Sequence, residues 1–585
     1  MRLCKQRRRR HAVNTIIVSL LLTACVGPRN EEPPKNGPVD HTAVNDPGQP
    51  VTSADNPYSP PAEQDLATGS EVKGEVSEMQ MNQISVSARK RSGRVAAESV
   101  YAMAPSIRVP VEPLNRENYA HLDRNPVRLV TEFPVSTFSI DVDTGAYSNM
   151  RRFMNGGSLP PQDAVRTEEL INYFTYDYPV PRGREVPFSV STETALAPWN
   201  PERILLRIGI KGYEVPKAER PAANLVFLVD VSGSMHSLAK LPLLKNALKL
   251  MTRQLTERDR VSMVVYAGSS GVVLEPTSGD EQAKILGALE QLQAGGSTNG
   301  ASGIRLAYRM AEQGFIDGGI NRVMLATDGD FNVGTVDFDG LVDIVERNRT
   351  NGISLTTLGF GAGNYNDHLM EQLADAGNGN HAYIDTLNEG RKVLVEQMTG
   401  TLQTIAKDVK IQVEFNPSVV AEYRLIGYEN RLLRREDFNN DKIDAGEIGA
   451  GHTVTALYEL ALADSESRLI DPLRYADKKV LRSGTANEIA FVRLRYKAPG
   501  GDNSRLIERP VRTDSVASLD EAGNEFRFAA AVAAFGQLLK GGEYTGNYGY
   551  AEVVELAAGA RGTDPFGYRG EFLGLVRLAD SLSPG

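Results

Sequence analysis

The chain is 585 residues long, too long for one hydrophobic core, so several domains are expected. Its 41% hydrophobic and 24% charged residues are ordinary for a globular protein, and its formal charge of −10 argues against binding nucleic acid through phosphates, which needs a basic face. Its two cysteines, Cys4 and Cys25, exclude a disulfide framework and a cysteine metal site.

The amino terminus is basic, with Arg2, Lys5 and Arg7 to Arg10 ahead of a short apolar run from Ala12 to Ala24. That run is below the ~18 residues a membrane-spanning helix needs, and with its basic flank it reads as a secretory signal. It ends in Leu22-Thr23-Ala24-Cys25, which resembles the bacterial lipobox, in which the chain is cut just before a cysteine that is then acylated. The resemblance implies a lipid anchor on Cys25 and loss of residues 1–24. Cleavage removes six basic residues and no acidic one, taking the formal charge from −10 to −16. Cys4 leaves with the signal, so no intrachain disulfide is expected. Val26 follows the cysteine, and by resemblance to lipoprotein sorting in Gram-negative bacteria the absence of aspartate there implies the outer membrane. No later segment holds ~18 consecutive apolar residues, so membrane contact is expected through the anchor alone.

Residues 25–112 read as a disordered tether, with nine prolines between Val26 and Pro61 and few large apolar residues. A coil of ~85 residues reaches roughly 50 Å. Residues 113–183 are expected to form an amino-terminal α+β flanking domain. Thr137 to Val142 alternates like a half-buried strand, and helices are predicted over Ala146–Asn155 and Asp163–Phe174. Residues 184–220 turn to strands and are expected to join a second β-rich stretch, 407–512, in one sandwich. From 221 to 406 strands and helices alternate. Leu225 to Val229 is a continuous apolar run, the mark of a strand buried on both faces. Helices are predicted over Leu238–Leu255, Glu281–Leu292, Ala301–Gln313, Phe338–Asn348, Asp367–Ala374 and Glu389–Ile405. Strands are predicted over Val261–Tyr266, Gly271–Glu275, Arg322–Ala326, Ile353–Phe360 and Ala382–Ile384. This alternation predicts an α/β fold with a doubly wound, mostly parallel sheet, flanked by β-rich and helical segments. Residues 513–585 are expected to be helical, alanine-rich around Phe526–Leu539.

In an open α/β sheet, ligands bind beyond the carboxyl ends of the strands, where the strand order reverses. The first strand ends in Asp230-Val231-Ser232-Gly233-Ser234, whose turn projects Asp230, Ser232 and Ser234 into one crevice. Gly295-Gly296-Ser297-Thr298-Asn299 offers the Thr298 hydroxyl, and Ala326-Thr327-Asp328-Gly329 offers the Asp328 carboxylate. All are hard oxygen donors, suited to Mg²⁺, Mn²⁺ or Ca²⁺ rather than zinc or copper.

This set resembles the metal-ion-dependent adhesion site of von Willebrand factor A domains: Asp-x-Ser-x-Ser, then a threonine, then an aspartate. The resemblance implies that Ser232, Ser234 and Thr298 bind the metal directly, and that Asp230 and Asp328 act mainly through bound water and by orienting the other ligands. It implies Mg²⁺ as the ion, with Mn²⁺ and Ca²⁺ as alternatives, and an open coordination position that attracts a carboxylate from a protein partner. Ser136-Thr137-Phe138-Ser139-Ile140-Asp141-Val142-Asp143-Thr144, Glu168-Glu169-Leu170-Ile171-Asn172-Tyr173-Phe174, Asp437-Phe438-Asn439-Asn440-Asp441 and Asp444-Ala445-Gly446-Glu447-Ile448-Gly449-Ala450-Gly451-His452 resemble the flanking regions of a bacterial family of von Willebrand A lipoproteins.

Other signals point to ordinary structure. Asp143-Thr144-Gly145 mimics an aspartic protease loop, but no second such loop occurs to share a proton, so Asp143 or Thr144 reads as a helix N-cap. Asp437-x-Asn439-x-Asp441 resembles the start of an EF-hand loop, but Lys442 replaces the turn glycine and Ile448 the terminal glutamate, so a polar turn is expected. The seven histidines form no ligand spacing, and His236 reads as an exposed residue past the metal loop. Asp330 and Asn332 read as a solvated loop, and Trp199 as a core residue. The expectation is a binding protein and not an enzyme, with no small-molecule cofactor. The rivals are a structural subunit of an envelope assembly and a metal-dependent hydrolase, for which no acid–base pair accompanies His236.

Overall fold

The computed structural model describes residues 117–297, 300–329, 338–363, 365–471 and 487–583. Cys25, the tether, Thr298, Asn299, Asp330 and Asn332 lie outside these residues.

The six-stranded sheet of the α/β domain runs in the order His381–Ile384, Ile353–Phe360, Ile320–Thr327, Ala223–Asp230, Arg260–Tyr266, Ser270–Ser278. Every neighbouring pair is parallel except the last, whose strands are joined by a tight turn. The fold is therefore doubly wound around a mostly parallel sheet. All eight residues of Ala223–Asp230 are buried, as a strand covered on both faces requires. One face packs under helices Leu241–Thr252 and Gln282–Gln291, with Leu244, Leu248, Ile285 and Leu289 in the core. The other packs under Gly300–Gln313, Phe338–Thr350 and Asp367–Ala376, through Ile304, Ala307, Leu341 and Leu373.

Two further sheets form a sandwich. One has strands Asn200–Gly212 and Phe188–Ala197 paired with Thr453–Leu462 and Val420–Ile426. The other is built on Thr404–Phe415 and Glu488–Lys497, with Val135–Ser139 added antiparallel along Thr404–Phe415. Their facing sides share one core that includes Phe138, Ile208, Val413, Tyr458 and Val492. The outer side of the first sheet is covered by helices from both ends of the described residues. Tyr147, Tyr173 and Phe174 meet Phe528, Phe535 and Phe572 there, along with Trp199, whose Nε1 donates to Glu459 Oε1 at 2.9 Å. The helix Asn524–Leu539 is buried almost all round, as its apolar composition demands.

Four local expectations need correction. The helix predicted from Leu238 begins at Leu241, with Pro242 in its first turn, where the missing N–H costs nothing. Leu238, no longer on an apolar helix face, is 85% exposed. The helix predicted over Asp163–Phe174 is a turn at Gln162–Ala164 followed by Thr167–Asn172, because Val165 and Arg166 are extended and Arg166 turns its side chain into buried acids. The helix predicted over Glu389–Ile405 contains a π-helical stretch at Lys392–Glu396 and ends at Leu402, since Thr404 and Ala406 already pair with the strand Ile448–Gly449. Thr144 precedes helix Gly145–Asn155 without a side-chain cap, and Glu169 Oε2 accepts from the Ala146 N–H at 2.7 Å instead.

Candidate functional site

Asp230 ends its strand, and Asp328 follows directly on the neighbouring parallel strand Ile320–Thr327. From Ala223–Asp230 the chain proceeds to Arg260–Tyr266 on one side, while Ile320–Thr327 lies on the other. The strand order thus reverses at Ala223–Asp230, and a crevice opens at the carboxyl ends.

Asp230 is fully buried. Its Oδ1 accepts the Ser232 N–H at 2.8 Å, closing the turn that the Asp-x-Ser spacing favours. Its Oδ2 accepts from Thr327 Oγ1 at 3.0 Å and from the Tyr266 hydroxyl at 3.2 Å. Burial pushes this carboxyl up to about 6, and the charge of Asp328 adds to the rise, while the bonds from Ser232 and Thr327 oppose it. Ser232 is buried and Ser234 is exposed, with their hydroxyl oxygens 3.0 Å apart. The Gly233 N–H donates to Gly296 O at 3.0 Å, and the Gly295 N–H donates to Val231 O at 2.7 Å. These two bonds dock the segment leading into Thr298 against the Asp230 loop.

Asp328 is fully buried, and its Oδ2 accepts from Lys240 Nζ at 2.8 Å. The stem of Lys240 lies across Gly361, where any Cβ would collide with it. Gly329, at φ +88°, sits against the backbone of Tyr365 and Asn366 with no room for a side chain.

Four of the five expected ligands, Asp230, Ser232, Ser234 and Asp328, thus gather at adjacent strand ends, and the fifth, Thr298, lies outside the described residues. Sequence reasoning missed Thr327, Tyr266 and Lys240. The first adjoins Asp328 in the quoted motif, and the second is the register partner of Asp230 across the sheet. Lys240 left no signal. Among the described residues no three His, Cys, Asp or Glu side chains gather into a cation cage. The oxygen donors here, two carboxylates and two hydroxyls, suit a hard divalent cation. His236 stands exposed beside the loop.

The other acidic motifs are engaged elsewhere. Asp143 accepts the His381 N–H at 2.8 Å and faces Arg431 at 3.2 Å. Asp437 bonds to Arg434, and Asp441 to Arg495 and Ser504, which is the polar turn the sequence suggested.

Residues 224–397 match the family model of the von Willebrand factor type A domain, and residues 113–207 match a model described as von Willebrand factor. Residues 400–582 match the model described as uncharacterized protein YfbK, C-terminal. The Escherichia coli protein YfbK is 48% identical over 472 residues, covering 80% of this chain and 81% of that protein. The chain belongs to the YfbK family of von Willebrand factor A proteins. The Rhodobacter capsulatus magnesium-chelatase 60 kDa subunit is 34% identical over 139 residues, 23% of this chain and 24% of that subunit. Among solved structures, a von Willebrand factor type A protein from Catenulispora acidiphila is 15% identical and covers 67% of this chain and 89% of that one, with a TM-score of 0.38. Von Willebrand factor A domains commonly mediate protein–protein interaction, and they typically bind a divalent cation.

Proposed function

We propose that this YfbK-family protein is a lipid-anchored binding protein of the cell envelope, held by Cys25 in the outer membrane of a Gram-negative bacterium. Asp230, Ser232, Ser234, Thr298 and Asp328 would hold one divalent cation, Mg²⁺ in first place. The cation would offer an open coordination position to an acidic side chain of a protein partner.

The observation that carries this reading is the convergence of Asp230, Asp328 and two serine hydroxyls at one reversal of strand order. A separation of 3.0 Å between the hydroxyls is the spacing of adjacent ligands around an octahedral ion at ~2.1 Å, the distance Mg²⁺ prefers. Only two carboxylates belong to the set, and Lys240 balances one of them. Such a cation keeps its pull on an incoming carboxylate, which favours binding over hydrolysis. The exposed Ser234 gives the partner access.

Calorimetry tests the assignment. The wild-type chain should bind Mg²⁺ and Asp230→Ala should not. Unaltered Mg²⁺ binding in that variant would refute it.

A further inference from the structure

A cleft of about 500 Å³ opens directly beside the metal loop, between helices Leu241–Thr252 and Gln282–Gln291. Met235 and His236 line it at the loop end, immediately after Ser234. Leu241 and Leu292 give it an apolar wall, and Lys245 and Lys249 lie further along. Leu238, 85% exposed, stands in the chain between His236 and Leu241.

The lining holds two lysines and one acid, Glu290, in a chain of formal charge −10. Lys245 is held in place, since its Nζ donates to the main-chain oxygens of Glu290 and Leu292 at 3.0 and 3.3 Å, where the second helix ends. Lys249 pairs with the Glu290 carboxylate, which is exposed to solvent. Exposed pairs of this kind contribute little to stability, so another carboxylate can replace Glu290 at little cost.

We infer that this cleft is a docking groove for an acidic peptide segment of the protein partner. The inference rests on the metal-site reading above. One carboxylate of the segment sits at the cation, a second displaces Glu290 from Lys249, and an apolar side chain between them packs against Leu241 and Leu292. The apolar wall favours a peptide over a polyanionic sugar. Lys249 lies eight residues into its helix, about 12 Å from the helix start at 1.5 Å per residue. An extended peptide advances ~3.3 Å per residue, so the two acids should stand about three to five positions apart.

The test selects a random dodecapeptide display library on the full-length protein, with Mg²⁺ and with chelator. The expected result is Mg²⁺-dependent enrichment of paired acidic residues at that spacing with an apolar residue between them. The synthesised winners should bind Lys249→Glu at least tenfold more weakly and Glu290→Gln two- to fivefold more tightly. The Mg²⁺ affinity of both variants should stay unchanged by calorimetry. Winners with a single acid, or winners that bind Lys249→Glu undiminished, would overturn the groove and leave the metal site standing. Enrichment that ignores the chelator would overturn both.

Discussion

Two clusters of buried carboxylates among the described residues differ in their partners. At the strand ends of the α/β domain, Asp230 and Asp328 meet hydroxyls and one ammonium. Between the α/β domain and the amino-terminal segment, the partners are arginines. Arg166 holds Glu169, Asp367 and Glu371. Arg431 faces Asp141, Asp143, Glu371 and Asp375. Arg151 bonds Asp385, Glu389, Glu571 and the Tyr173 hydroxyl. A guanidinium presents five donors in a planar fork and fills the lone pairs of the acids around it. Burial alone would raise Asp367, yet Arg166 and His381 hold it well below the usual carboxylate range. Hydroxyls keep lone pairs of their own and can turn to meet a ligand. The first arrangement remains open to a cation, whereas the second is a closed fastening that ties the α/β domain to the rest of the described residues.

Removing an arginine breaks the comparison hardest. Arg166→Ala leaves Glu169 buried without its cation, strips Asp367 and Glu371 of their shortest ion pairs, and should cost about 3–5 kcal/mol in denaturant unfolding, with no Mg²⁺ dependence.

Asp141 and Glu389 each leave one buried oxygen without a hydrogen-bond partner, and Glu168 leaves both. Burial, with the charge of Glu429 next, pushes it up to about 8. The folded state therefore keeps a proton that the unfolded chain releases above its ordinary value of 4.5. Stability from this group is fully present below that value and falls as pH rises through about 8. Glu168→Gln should flatten the decline and gain about 2–4 kcal/mol at pH 9, read from unfolding midpoints across pH.

At the open site the expected change is smaller and depends on metal. Lys240→Met removes the ammonium from Asp328 and should tighten Mg²⁺ binding about tenfold by calorimetry, about 1.4 kcal/mol, while lowering the stability of the metal-free protein. Weaker Mg²⁺ binding in this variant would mean that Lys240 supports the metal site rather than competing with the ion.

The smallest effect belongs to the partly exposed turn at Asp441. Asp441→Ala should change stability by under about 1 kcal/mol and leave Ca²⁺ titrations unaltered, because its carboxylate is already committed to Arg495 and Ser504.

The amino-acid sequence by itself determined the doubly wound sheet and the positions of Asp230, Ser232, Ser234 and Asp328. Strand periodicity and short-range turn chemistry are local properties, and a motif at a strand end inherits its place from the strand. Only the tertiary structure decided which side chains surround those four residues and how the helices flanking the sandwich close. Tyr266 reaches Asp230 through sheet register, and Lys240 reaches Asp328 across 88 residues of chain. The arginine fastening likewise joins residues more than 200 positions apart, as in Arg166 with Asp367 and Arg151 with Asp385. No local pattern marks such pairs. A buried charge must find its counter-charge wherever packing brings one, and that is settled only when the elements assemble.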